Sequence, residues 1–235
     1  MNLFIINSKS NLNFMKFIAD FFLKKNHCIS FFLPYENLKK NNILNDSKIF
    51  LFKDLLDTKI QKKIEIRNNF VKYFFFYLWS RFLVSKQKFE IINEQNRILL
   101  IKSVNFLLQN KITKISCCED GIGSGINTII FLSAAKFLKI PIYNIPFGCG
   151  AEEDLEYSLK SKYQSNSLIK LKGFNLLLSY LFINKWLKKG KYKNAIMYPL
   201  ELILSMEMNK ISLRNPWIIN GGYSTNIFAE NEISK

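Results

Sequence analysis

Apolar residues along this chain fall into two rhythms, short continuous runs and longer stretches in which they recur every three or four positions. Asn2 to Ile6 is a short apolar run and predicts a strand, Asn11 to Lys25 carries the helical spacing, and Cys28 to Leu33, closed by Pro34, predicts a second strand. Polar turn residues from Asn41 to Asp46 lead to a third short strand, Lys48 to Phe52, and then to a long aromatic-rich helical stretch from Thr58 to Lys86. Gln95 to Gln109 predicts a further helix, which hands the chain through Asn110 and Lys111 to a strand from Ile112 to Cys118.

The clearest unit runs from Lys114 to Glu153. Its first strand ends in two acids, Glu119 and Asp120, and three alternating glycines, Gly121, Gly123 and Gly125. The helix that follows sets Ile129, Ile130, Leu132, Ala134, Ala135 and Leu138 on its inner faces, and Pro141 ends it and opens the next strand, Ile142 to Ile145. Strand, helix and strand at this spacing make a βαβ unit. The same alternation from the first residue onward predicts an α/β fold, a Rossmann-like parallel sheet with helices on both faces, plus a helical C-terminal segment. In that segment Leu168 to Lys189 and Ala195 to Met208 predict two helices, and Arg214 to Ser224 predicts a Pro-opened strand running into a Gly-Gly turn. The expected organisation is a Rossmann-like α/β domain over residues 1–160 and a helical extension over residues 161–235 packed on the same domain.

Composition narrows the classes. With 49% hydrophobic residues among 235, the chain has material for a sizeable core and is not a disordered one. The net charge of +16 would suit a polyanionic partner, yet Lys, Asn, Ile and Phe are abundant together, as an AT-biased genome would write them, so charge alone assigns nothing. No nucleic-acid-binding motif accompanies it, and a nucleic-acid partner is not expected. The four cysteines show no CxxC spacing and His27 is the single histidine, so neither a metal nor another cofactor is expected, and the unpaired thiols fit a reducing cytoplasm. No apolar run reaches the roughly 18 residues of a bilayer-spanning helix, and the N-terminus lacks the basic region of a signal peptide. The expected location is therefore cytoplasmic, with the inner membrane face as a peripheral option.

In an open α/β sheet the ligand crevice lies beyond the C-terminal ends of the strands, so chemistry is expected at Glu119 to Gly125 and at Phe147 to Glu153. Adjacent carboxylates at a strand end alternate faces, and either Asp120 or Glu119, desolvated there, is suited to act as a general base. The plainer reading makes Asp120 a turn cap and leaves Glu119 solvated. Gly121, Gly123 and Ser124 offer backbone N–H groups and a hydroxyl at a helix N-terminus, or else form a tight turn with Ser124 as the helix cap. Gly148, Gly150 and Glu152 follow the next strand and fall on the same sheet edge, where the glycines let a ligand approach the backbone. Further on, Lys185, Trp186, Lys188, Lys189 and Lys191 form a basic-aromatic cluster suited to anionic lipid headgroups, or a core helix with a solvated basic end.

Taken together, Glu119-Asp120-Gly121, the run AAKFLKIPIYNIPFG from Ala134 to Gly148 and the opening MNLFIIN resemble the N-terminal Rossmann-like domain of GT-B glycosyltransferases of bacterial surface-polysaccharide synthesis. Glu119-Asp120-Gly121 is also similar to the acidic motif of bacterial sialyltransferases, in which the acid is the base on the acceptor hydroxyl. Two departures stand out: Pro146-Phe147-Gly148 occupies the place where such enzymes often have Pro-His-Gly, and no His-Pro motif follows. The resemblance implies a sugar moved from a nucleotide-sugar donor to a hydroxyl of a glycan or lipid-linked acceptor. It equally implies an alternative, a non-catalytic acceptor- or membrane-binding half whose partner chain carries the donor domain, because a chain ending at Lys235 leaves little room for one.

Overall fold

The computed structural model describes residues 1–6, 9–24, 28–34, 48–62, 70–83, 85–121, 124–145, 168–211, 213–217 and 221–227. In chain order the strands are β1 (Asn2–Ile5), β2 (Ile29–Leu33), β3 (Lys48–Leu51), β4 (Lys114–Cys117), β5 (Ile142–Asn144), β6 (Ile169–Lys170), β7 (Ala195–Ile196) and β8 (Asn226–Ile227). The helices are α1 (Lys9–Leu23), α2 (Phe52–Leu56), α3 (Phe70–Leu83), α4 (Lys86–Gln109), α5 (Ile126–Phe137), α6 (Gly173–Phe182) and α7 (Leu200–Met208). Six strands form one sheet in the order β3-β2-β1-β4-β5-β8, every pair parallel, while β6 and β7 make a separate antiparallel pair. The chain builds outward from β1 to β3, then returns to start again beside β1 with β4. The point where the order reverses therefore lies between β1 and β4, and the crevice of such sheets opens there.

Alternation along the strands sorts the core into two layers. Leu3, Ile5, Phe32, Phe50 and Ile115 face α4 and α5, whereas Phe4, Ile6, Phe31 and Leu33 face Leu12, Met15 and Ala19 of α1. Every residue of α5 from Thr128 to Ala135 is buried, which is why that helix carries no polar face. Phe131 at its centre stacks on Phe32 with ring centroids 4.5 Å apart and meets Phe106 of α4 at 5.9 Å. The C-terminal residues belong to this same core: Ile203, Leu204 and Met206 of α7 join the α4/α5 layer, Asn96 Nδ2 donates to Ser205 Oγ at 2.9 Å, and β8 extends the sheet beyond β5.

Several expected elements differ in detail. Between Thr58 and Lys62 the chain is not helical, because the Asn105 side chain takes its backbone bonds: Oδ1 accepts from Gln61 N (3.0 Å) and Lys62 N (2.8 Å), and Nδ2 donates to Lys62 O (3.1 Å). Helix α4 begins at Lys86, nine residues before the expected Gln95. The stretch from Leu168 splits into β6 and α6, and Ala195–Ile196 pairs with β6 instead of starting a helix. Pro199 then sets the beginning of α7, since it has no N–H to give and holds Tyr198 out of the α region. In the tail, Pro216 and Trp217 lie in a turn that Asn215 Oδ1 closes by accepting from Trp217 N at 3.0 Å, and the short strand β8 follows the Gly-Gly pair; residues 218–220 lie outside the described residues.

Helices α4, α5 and α7 end alike. The residue after each cap is a lysine in the left-handed region, Lys111 (φ 50°), Lys139 (φ 58°) and Lys210 (φ 57°), and each is followed by an isoleucine. Ile112 N, Ile140 N and Ile211 N reach back to Leu107 O, Ala135 O and Met206 O at 3.0, 2.9 and 2.8 Å, closing three Schellman motifs. Glycine normally fills that place without strain, so these lysines fit a composition that favours lysine wherever it is tolerated. Replacing all three by glycine is expected to raise stability by about 1–3 kcal/mol in total, from the cost of a left-handed L-residue set against glycine's unfolded-state entropy. A denaturant midpoint that falls in the triple variant would contradict this.

Candidate functional site

Strand β4 ends in the buried Cys117 and its sulfur lies 3.8 Å from Tyr143 O of β5. The next three residues, Cys118, Glu119 and Asp120, carry the chain across the C-terminal edge of the sheet. There the two carboxylates diverge.

Asp120 is fully buried, at 0% exposure. Its Oδ1 accepts from Asn144 Nδ2 at the end of β5 (3.1 Å), and its Oδ2 accepts from Tyr223 N (2.8 Å), Ser224 N (2.6 Å) and the Ser224 hydroxyl. One carboxylate thus holds the chain just ahead of β8 against β5. Thr225 continues the seam, since its N donates to Ile142 O at 2.9 Å and its Oγ1 accepts from Ile142 N at 3.1 Å. The approach is so close that only glycine fits beside it: a Cβ on Gly222 would lie 1.6 Å from the Asp120 carbonyl oxygen, and one on Gly221 2.2 Å from Asn215 O. An acid with its lone pairs engaged in this way is placed to anchor a strand; proton transfer from a substrate would first require the anchor to open.

Glu119, in contrast, is only partly buried. Desolvation raises its carboxyl pKa above the ordinary 4.5. Of the two acids this is the one with a side chain accessible to solvent and tuned toward proton acceptance. The neighbouring thiols are not: burial lifts Cys117 well above the usual range, with the Asp120 charge adding to it, and burial next to Glu119 pushes Cys118 up to about 12. Neither forms the thiolate that nucleophilic chemistry needs at neutral pH.

The glycine turn closes on itself. Ser124 N and Oγ both donate to Gly121 O, at 3.2 and 2.7 Å, and Gly125 (φ 78°) takes the cap position of α5, so Ser124 is a turn-closing residue and not the helix cap. Gly121 and Ser124 are buried. Gly123, Gly148, Gly150 and Glu152 lie outside the described residues, as do Phe147 and Cys149. No group of three or more His, Cys, Asp or Glu residues among the described residues is arranged to hold a metal ion.

In the basic-aromatic cluster the aromatic member lies in the core, and Lys185, Lys188 and Lys189 have separate surroundings. Trp186 is 2% exposed and its Nε1 donates to Glu207 Oε1 at 2.9 Å, inside the core beneath α7. Lys185 pairs with the same Glu207 oxygen at 2.9 Å and also donates to Leu213 O, while Lys188 lies over the Trp217 ring at 5.3 Å. Lys189 is exposed. The indole needs an acceptor and the carboxylate a cation, and packing α7 against the short helical turn at Asn184–Trp186 satisfies both.

Asn144, Gly222, Tyr223 and Ser224 were not among the residues the sequence singled out. The one local sign was the pair Gly221-Gly222, which marks a close backbone approach without naming its partner. Comparison of the chain with known protein families, with curated proteins and with solved structures finds no match in any of the three.

Proposed function

We propose that this chain is a glycosyltransferase-like protein of surface-polysaccharide or lipopolysaccharide synthesis, with Glu119 as the base on the acceptor hydroxyl. The observation that carries the reading is the partly buried Glu119 carboxyl, its pKa raised by desolvation, at the C-terminal end of β4 beside the point where the strand order reverses. In the step envisaged, the acceptor oxygen bonds to the anomeric carbon of a nucleotide-sugar and its proton passes to Glu119. The bond from that carbon to the donor's phosphate oxygen breaks, and the nucleotide leaves with the electron pair. The resemblance of Glu119-Asp120-Gly121 to the acidic motif of sialyltransferases supports placing the base within this pair of acids.

The alternative is a non-catalytic, acceptor- or membrane-binding half that works with a partner chain carrying the donor domain. Phe147 in the place of the Pro-His-Gly histidine favours it, because a phenyl ring neither donates a proton nor stabilises charge on a leaving phosphate. The experiment is a transfer assay of the purified chain with a panel of nucleotide-sugars and glycan or lipid-linked acceptors, reading released nucleotide and product mass. Donor-dependent product from the chain alone is expected; product that forms only with a donor-domain chain added would replace this reading with the alternative.

A further inference from the structure

Helix α6, GFNLLLSYLF, contains no charged residue, yet half of its surface faces outward. Phe174, Leu177 and Leu181, spaced so that they share one face, are 58, 53 and 67% exposed. The helix's polar side chains Asn175 and Ser179 lie four residues apart and are less exposed, and an apolar helix face such as the remaining one is ordinarily covered. Beside it lies α3, whose outward residues are also large and apolar: Val71, Tyr73, Phe74 and Phe75 are each more than 40% exposed. The two helices are joined by the Phe75–Phe182 stack, with ring centroids at 5.1 Å, and by Trp79 Nε1 donating to Asn175 Oδ1 at 2.7 Å. Their exposed side chains therefore belong to one patch, of a kind that soluble surfaces seldom leave bare.

The surroundings of the patch are of one sign. From Leu168 to Leu200 the chain has seven lysines and no acid, and neither α3 nor α6 contains an acid. Lys185 is occupied by Glu207, but Lys170 and Lys172, immediately ahead of α6, and Lys189 and Lys193, after it, are exposed. Lys193 is held near α6 because the adjoining Asn194 Oδ1 accepts from Tyr180 Oη at 2.6 Å. Arg81 is exposed in the last turn of α3. We propose that the joined outer faces of α3 and α6 bind an anionic phospholipid surface, Phe174, Leu177, Leu181 and Phe74 entering the headgroup layer and the surrounding lysines meeting its phosphates. Charge decides among occupants: a second copy meeting the patch about a two-fold axis would bring like-charged rims together, whereas an anionic bilayer complements both the apolar centre and the rim. Ten residues of α6 span about 15 Å, half the hydrocarbon thickness, and no described helix is long and apolar enough to cross, so the helix lies along the interface.

The proposal supplies the surface that the membrane-binding alternative requires. The test uses vesicles without donor or acceptor, so its failure leaves the chemistry assigned to Glu119 untouched. Flotation of the full chain with vesicles of phosphatidylcholine alone and of phosphatidylcholine with phosphatidylglycerol is expected to recover at least about ten times more protein with the anionic set, and to lose most of that difference between 0.1 and 0.5 M salt. The pair Leu177→Gln and Leu181→Gln, both at exposed positions, is expected to abolish recovery with an unchanged melting temperature. Equal recovery with the two vesicle sets, or unchanged recovery of the Leu177→Gln/Leu181→Gln variant, would overturn the proposal. So would sedimentation showing a wild-type dimer that this variant converts to monomer.

Discussion

Asp120→Ala is expected to destabilise the fold by about 4 kcal/mol, lowering the melting temperature by about 8–16 °C for a chain of this length. The substitution leaves four donors without their acceptor in the interior, Tyr223 N, Ser224 N, the Ser224 hydroxyl and the Asn144 amide. Each buried donor left unsatisfied costs about 1–3 kcal/mol, and partial opening of the seam limits the sum. Asp120→Asn keeps an oxygen toward the two backbone N–H groups and is expected to cost about half as much. Gly222→Ala attacks the same seam by volume, since its Cβ would collide with the Asp120 carbonyl, and is expected to cost about 1–3 kcal/mol or more. Amide exchange at Tyr223 and Ser224 locates the loss: early exchange there in all three variants is the signature of an anchor, and a melting temperature within 2 °C or so of wild type for Asp120→Ala would show that Asp120 is not one.

Glu119→Gln is expected to do the opposite, lowering transfer by roughly 10²–10⁴-fold with little change in stability. Its pH behaviour gives two signs at once. Burial holds the folded-state pKa above the ordinary 4.5, so the base form, and with it the rate, rises as pH increases through that raised value and then levels off. Stability runs the other way. The folded state favours the protonated acid, so the contribution of Glu119 is fully present below the unfolded-state pKa and is lost as pH rises through the folded-state value. Glu119→Gln should flatten both limbs. A variant that keeps the wild-type rate and its pH limb removes Glu119 from the chemistry.

The sheet was legible because its signals are local. In β1–α1–β2 and β4–α5–β5 the period of the apolar residues, the strand-ending Pro34 and the helix-ending Pro141 all lie within a few residues of what they determine. Where long-range contacts decide, the pattern misleads. Two-residue strands such as β6 and β7 are too short to show alternation, so Leu168 to Lys189 read as one apolar helix. Trp186 among lysines reads as an interfacial residue until Glu207, 21 positions later, supplies its acceptor. The apolar face of α6 was in the sequence, but its exposure was not, since an uncharged, largely apolar helix usually implies burial. The roles of the two acids were the least legible of all, because the groups that occupy Asp120 come from Tyr223 and Ser224, more than a hundred residues away.

The central claim is that adjacent carboxylates divide the work, Asp120 holding the sheet edge together and Glu119 remaining available for proton transfer. One paired measurement tests it: transfer per folded molecule and melting temperature for Glu119→Gln and Asp120→Asn in a single preparation series. The expected result is a crossed pattern, with activity lost and stability kept in Glu119→Gln, and stability lowered with activity per folded molecule kept in Asp120→Asn. Activity lost only in Asp120→Asn, at an unchanged melting temperature, would contradict the account.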